Sequence, residues 1–437
     1  MVNSIILFLC LILILAILYT WSNGDVLSPS LLVCLMFILS TTILIFYNSA
    51  WDVNLSYKTI LYIILAILSL YIGEIFTKKI SFKKKNNLKE EQKLPEIKIN
   101  KWITLILLIY IIVVSILFYK DLIRILSESS YAKTEEAKKY SFLMQVRWAK
   151  IIDGLTNNRI IMVAYQIGLA AGRIYTFKII YNLIFYKKWS KNIFEYGIVI
   201  AMLASTFLTT GRTEMLNFIA FIIILSLLLY GKKSDWKAKI SFKSYFKIII
   251  AFLFALLLFY LGGLLTEKSL NYDNFFDNLA NYTASSIYAL NEYIEHPLSF
   301  PTQSSLFGVN TFSGLYRFIG KFTYVPEIKV QYEYIQCGKT LTNIYTALRR
   351  YIQDFGVFGM TIVMFFEGMF FENLLKKCKN RKFSFLGIIY TAYCYYPLLF
   401  MGIEERFFMD LITSTTVYQL VYLFILYKVL IEKKIKI

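Results

Sequence analysis

Charged side chains are scarce in this sequence: Asp, Glu, Lys and Arg make up 17% of 437 residues, and there is one histidine, His296. So little ionic surface cannot cover a water-soluble chain of this size, which excludes an ordinary soluble enzyme. Cysteine is also sparse. Cys10, Cys34, Cys337, Cys378 and Cys394 lack metal-type spacing, and four of them fall in or beside apolar runs, so neither a disulfide framework nor a zinc site is expected. There is no internal repeat and no Pro- or Ser-rich linker, so residues 1–437 read as a single integral membrane domain. No nucleotide-binding motif is present, and no cofactor or metal is expected.

What is abundant is apolar side chain: 58% of residues are hydrophobic, including 37 Phe and 34 Tyr, and the mean hydropathy is +0.57. A bilayer core about 30 Å thick needs roughly 20 apolar helical residues. Eleven segments come close to that length: Ile5–Trp21, Leu31–Tyr47, Tyr57–Phe76, Trp102–Tyr119, Ile160–Phe177, Phe194–Thr210, Met215–Tyr230, Ile248–Leu265, Gly356–Leu375, Phe385–Met401 and Leu411–Leu430. The expected fold is an all-α polytopic membrane protein with about eleven spans. The first segment has no basic residue before it and no small-residue cleavage site after it, so it is expected to stay as a helix.

The formal charge of +19 sits in short clusters between spans and reads as a topology signal; no nucleic-acid partner is expected. The clusters Lys78–Lys101, Lys187–Lys191, Lys232–Lys247, Lys376–Lys382 and Lys428–Lys436 all fall on one side of an eleven-span count. Basic loops favour the cytoplasm, so the N-terminus is expected outside and the C-terminus inside. Three segments then lie outside: Lys120–Arg159, a large loop Glu267–Asp354, and Gly402–Phe408. In the large loop Tyr272, Phe275, Phe276, Leu279, Tyr282, Ile287, Leu290 and Ile294 recur at near-helical spacing, which predicts an amphipathic helix. A second helix is predicted over Thr342–Gln353, running straight into the ninth span.

Charges inside apolar runs mark the chemistry. Arg212, in Gly211-Arg212-Thr213-Glu214, sits at the tip between two short spans. Burying its guanidinium there is costly unless it meets an anion, and its planar fork suits a phosphate. The plainer alternative is an Arg that snorkels to the interface or pairs with Glu214. Arg173 lies toward the cytoplasmic end of the span as read from the sequence, where snorkelling is the plain expectation. Glu367 lies mid-span, where an ion pair with an intramembrane Arg is the plain expectation and a proton or substrate role the alternative. His296 and the carboxylates Asp354, Glu404 and Glu405 are rival general bases on the outer side. The aromatic, amide, hydroxyl and Arg groups of Phe307–Phe312, with Asn310, and of Asn343–Gly356, with Tyr345, Arg349 and Arg350, are the residue types of a sugar site, with flat rings for apolar faces and directional groups for hydroxyls, and equally those of a folded cap with an aromatic core.

The tip Thr209-Thr210-Gly211-Arg212-Thr213, the loop Phe307-Gly308-Val309-Asn310-Thr311-Phe312, and the run Tyr345–Gly359 leading into a span resemble the bacterial oligosaccharide repeat-unit polymerases, the Wzy family of O-antigen and capsule synthesis. The chain departs from one pattern of that family, since no Arg is followed by Gly eleven residues on. The resemblance implies a GT-C-like, metal-independent glycosyltransferase in the cytoplasmic (inner) membrane of a bacterium. It would join polyprenyl-diphosphate-linked oligosaccharides on the outer face, among membrane lipids and alongside chain-length regulator and flippase proteins. Arg212 would meet the donor diphosphate, with Arg173, Arg317, Arg349, Arg350 and Arg406 in reserve; His296, Asp354 and Glu404 are the candidates for the base. An O-antigen ligase or a non-enzymatic flippase are the rival readings. A flippase would ordinarily show internal repeats or broken midplane helices.

Overall fold

The computed structural model of the chain describes residues 1–80, 95–236, 275–297, 306–326, 328, 333–338, 340–380 and 384–432. Helices dominate them, as lipid demands, because a bilayer offers no partner for a free backbone N–H or C=O. Eight helices are long and apolar enough to cross a membrane: Val2–Trp21, Pro29–Tyr47, Tyr57–Ile80, Lys101–Glu128, Arg159–Tyr186, Thr213–Lys233, Leu348–Lys379 and Ser414–Glu432. The predicted sixth and tenth spans are the shorter apolar stretches Ile193–Thr209 and Phe385–Phe400. In the latter the helix Phe385–Cys394 stops and a new one, Tyr396–Phe400, starts with Pro397 in its first turn, where a missing N–H does no harm. The predicted span Ile248–Leu265, Tyr272, and the clusters around Lys83-Lys84-Lys85 and Lys247 lie outside the described residues. The chain is thus mostly helical and built for a membrane.

Two compact units divide the chain. The first is drawn from Met1–Lys89, Asn274–Phe383 and Cys394–Thr416. Its closest helix pair is Tyr57–Ile80 with Leu348–Lys379. Their backbones touch: a methyl group at Gly73 would sit 2.0 Å from the Phe365 carbonyl oxygen, and one at Gly368 would sit 2.0 Å from that of Leu70. Small residues are what allow such an approach between membrane helices. The large loop is folded where it is described, as helices Phe275–Thr283, Ser285–Glu295 and Ser313–Ile319. The amphipathic stretch is therefore two short helices. The helix predicted over Thr342–Gln353 is corrected: Thr340–Thr342 pairs with Ile335–Cys337 in a hairpin, and the helix begins only at Leu348. Thr340, Thr342 and Ile344 suit an extended backbone better than a helix. The long helix is also broken at Gly356, whose φ of +64° is one that residues with a Cβ rarely adopt.

The second unit is drawn from Glu90–Asp273, Ser384–Tyr393 and Val417–Ile437. Three of its helices start on an asparagine that accepts backbone N–H groups of the first turn: Asn100 from Trp102, Asn158 from Ile160 and Ile161, and Asn192 from Phe194. Polar ties then fix helix against segment. Tyr175 and Thr104 bond through their hydroxyls at 3.1 Å, and the Asn182 amide both donates to Ile97 O (2.8 Å) and accepts from Ile97 N (3.0 Å).

Candidate functional site

In the first unit, the extended stretch after the hairpin and the first turns of Leu348–Lys379 face the Gly402–Phe408 segment. The Ala347 N–H donates to Met401 O at 3.0 Å and fixes their register. Between them lies a cavity of about 30 Å³ lined by Asn343, Tyr345, Thr346, Arg349, Arg350, Gln353, Glu404 and Glu405. That is room for a water or two, so a larger ligand must displace side chains. Every lining residue carries a polar or charged group. Buried polar groups are normally paired, yet Thr346 Oγ1 and Arg349 Nε have no hydrogen-bond partner among the described residues.

Arg349 is held rigidly. Its guanidinium pairs with Glu333 and lies 3.9 Å from the Tyr345 ring centroid and 4.9 Å from that of Tyr293. Such a cage fixes a cation in place. Burial lifts the Glu333 carboxyl above its usual range even against the Arg349 charge.

Glu405 is the group that opens chemistry in the cavity. Its carboxylate accepts from the N–H groups of Phe408 (2.7 Å) and Met409 (3.0 Å), and it is 1% exposed. Burial pushes it up to about 7, while those N–H groups and the Arg350 charge pull the other way. A carboxyl that binds and releases a proton near neutral pH has the property a general base needs. Behind it, the Tyr351 hydroxyl lies 3.3 Å from Glu405 Oε1 and 2.5 Å from Glu367 Oε1. The expected ion pair of Glu367 with an intramembrane Arg is thus corrected: its partner is a phenol. Tyr351 sits sixteen residues before Glu367 in the same chain segment, a spacing that only the Gly356 break turns into contact.

The other residues singled out from sequence separate into several places. Glu404 lines the cavity and pairs with Arg406, which also donates to Asp410 at 2.9 Å. Asp354 does different work: it accepts from Asn310 Nδ2 (2.8 Å) and Thr311 N (2.6 Å), so it anchors the Phe307–Phe312 loop, with Asn310 as its partner. Arg317 bonds back to Ser313 within its own short helix. His296 caps the end of Ser285–Glu295, is exposed, and is not among the residues lining the cavity.

Arg173 and Arg212 belong to the second unit. The snorkelling expected of Arg173 is corrected. The helix runs on to Tyr186, which places Arg173 at its middle, and the residue is 2% exposed. Its Nη1 donates to Gln419 Oε1 at 2.6 Å, and its guanidinium lies 4.8 Å from the Tyr393 ring centroid. Gln419 is oriented in turn by donating to Gln166 O at 2.7 Å. No carboxylate pairs with Arg173 among the described residues, and its Nε has no acceptor. Lys178, one turn further, is neutralised by Glu195. Arg212 occupies the cap position of Thr213–Lys233 and is 4% exposed.

No family model matches the chain, and no curated protein or solved structure matches it significantly. Tyr351, Glu333, Tyr293 and Gln419 were not legible as site residues, since each is an ordinary residue in its own segment. Only Glu367 carried a signal, being a carboxylate within an apolar run.

Proposed function

We propose that this chain is a metal-independent membrane glycosyltransferase that polymerises polyprenyl-diphosphate-linked oligosaccharide repeat units, as in O-antigen or capsule synthesis. The observation that carries the proposal is Glu405: a buried carboxyl that titrates near 7 at a polar cavity also lined by arginines, amides and an aromatic ring. These are the requirements of glycosyl transfer to a hydroxyl. The acceptor hydroxyl oxygen forms a bond to the donor's anomeric carbon, and the bond from that carbon to the diphosphate oxygen breaks. The leaving diphosphate takes the electron pair, and the hydroxyl proton passes to Glu405. Glu405 thus takes the role for which His296, Asp354 and Glu404 were the first candidates. Arg349 and Arg350 would orient the acceptor sugar. Arg212 keeps the role that the resemblance implies for it, meeting the donor diphosphate, with Arg173 in reserve. The reaction faces the outside of the cytoplasmic membrane, with the N-terminus out and the C-terminus in.

The test is a cell lacking the native gene. Single lipid-linked repeat units should accumulate on the outer face of the membrane and be consumed when the gene is restored. Accumulation inside would favour a flippase, and finished polymer left unattached would favour a ligase. Replacing Arg212 by Ala, with protein level measured, should shorten or abolish polymer; full-length polymer from normal amounts of this variant removes Arg212 from the site.

A further inference from the structure

The row Glu367 Oε1, Tyr351 Oη, Glu405 Oε1 contains two oxygen-to-oxygen contacts, at 2.5 and 3.3 Å, and both are buried. The 2.5 Å contact needs a proton between its oxygens, and the phenol has only one to offer. A proton supplied to that contact by Glu367 frees the phenol's own for Glu405. We propose that Glu367, Tyr351 and Glu405 share one carboxyl proton, and that Tyr351 and Glu367 position Glu405 as the proton acceptor for a hydroxyl held in the cavity. The catalytic half of this proposal rests on the glycosyl-transfer reading of that cavity, and the shared proton does not.

Geometry supports the direction. Glu405 lines the cavity, whereas Glu367 does not, and Glu367 Oε2 is buried with no hydrogen-bond partner among the described residues. A carboxylate with one oxygen stranded and no cation beside it is poorly placed to stay charged, so it is the natural reservoir for the common proton. With that proton on Glu367, its O–H donates to Tyr351 and the phenol O–H donates to Glu405. Glu405 is left as the charged member, its remaining acceptor capacity turned to the backbone N–H groups of Phe408 and Met409. When a hydroxyl gives its proton to Glu405, no charge has to move deeper into the apolar helix.

Arg350 on the long helix favours the charged form of Glu405, and Asp410 opposes it. Glu404 and Arg406 neutralise each other beside it, and Arg317 on the neighbouring short helix is engaged with Ser313. None of them lies between the three oxygens.

The experiment uses the purified full-length protein in nanodiscs and reads two quantities. The infrared difference spectrum, wild type minus the Glu367→Gln/Glu405→Gln double variant, should at neutral pH show the carbonyl stretch of a protonated, hydrogen-bonded carboxyl, and the band should shift in Tyr351→Phe. Absence of that difference band overturns the shared proton. Polymer formation should rise with pH through about 7, and Tyr351→Phe should move that limb to higher pH, because the Glu405 carboxylate loses a donor. Glu405→Gln should lower the rate about 10²- to 10⁴-fold. An unmoved pH limb in Tyr351→Phe overturns the positioning role. A wild type that makes no polymer under any condition overturns the glycosyl-transfer reading and with it the catalytic half, while the infrared result still decides the shared proton. Near-isosteric Gln and Phe changes are used so that the fold survives, and thermal unfolding of each variant checks this.

Discussion

The two compact units bury charge of opposite character. The first holds Glu74, Glu333, Glu367, Glu372 and Glu405 in its interior with Arg349; the second holds Arg173, Lys178 and Arg212 with Glu195 and Asp121. The difference is chemical as well as electrostatic. A buried carboxyl can lose its charge by binding a proton, whereas a guanidinium stays charged at any accessible pH. The first unit can therefore concentrate acids around a phenol and a small cavity. The second must answer each cation in some other way: Lys178 with Glu195, Arg173 with an amide and aromatic faces. Proton chemistry fits the first arrangement and anion binding the second.

If the second unit depends on compensated cations, removing a compensating group should be the most damaging change. Glu195→Leu leaves Lys178 buried without its counter-charge and should destabilise by about 3–5 kcal/mol, with much of the loss recovered in the Glu195→Leu/Lys178→Met double variant. Thermal unfolding in detergent measures both. A loss below about 1 kcal/mol would show that water reaches Lys178 and would weaken the contrast.

The acids of the first unit should instead reveal themselves through pH. Glu405 titrates near 7 in the folded chain, above the ordinary Glu value of about 4.3. The folded state therefore binds the proton more tightly than the unfolded state. This stability is fully present below about pH 4 and lost as pH rises through about 7, on the order of 3 kcal/mol in all. Glu405→Gln should flatten that slope in a pH series of unfolding midpoints. An unchanged slope would mean that Glu405 does not carry it.

Two smaller substitutions set the units side by side. Gln419→Leu in the second unit removes the one hydrogen-bond acceptor that Arg173 has among the described residues and should cost about 1.5–3 kcal/mol, because the donor is charged. Tyr351→Phe in the first unit removes the phenol from between two carboxyl groups, but a carboxyl left without it can bind a proton as a guanidinium cannot lose one, so the cost should be only about 0.5–1.5 kcal/mol. Equal losses in the two variants would erase the distinction.

Much of the scaffold was legible in the sequence. Long apolar runs produce helices in any bilayer, because no other local structure satisfies the backbone there, and eight of the expected spans are helices of spanning length. Local punctuation was less legible. The hairpin over Ile335–Thr342 is too short to leave a period, and the Gly356 break looks like any glycine inside an apolar stretch. Single residues announced themselves only when they carried charge into an apolar run, as Arg173, Arg212 and Glu367 do.

The sequence by itself determined that the chain is a many-helix membrane protein with a few misplaced charges, since hydropathy and charge are properties of each segment alone. Only the tertiary structure decided what those charges meet. Glu367 meets a phenol from across a helix break, Glu405 joins the same phenol from another segment, and Arg173 is held by an amide 246 positions away. Asp354, which from sequence resembled a base, is bound up in anchoring a loop. Partnerships of this kind depend on distances between segments far apart in the chain, which packing sets and no local pattern encodes.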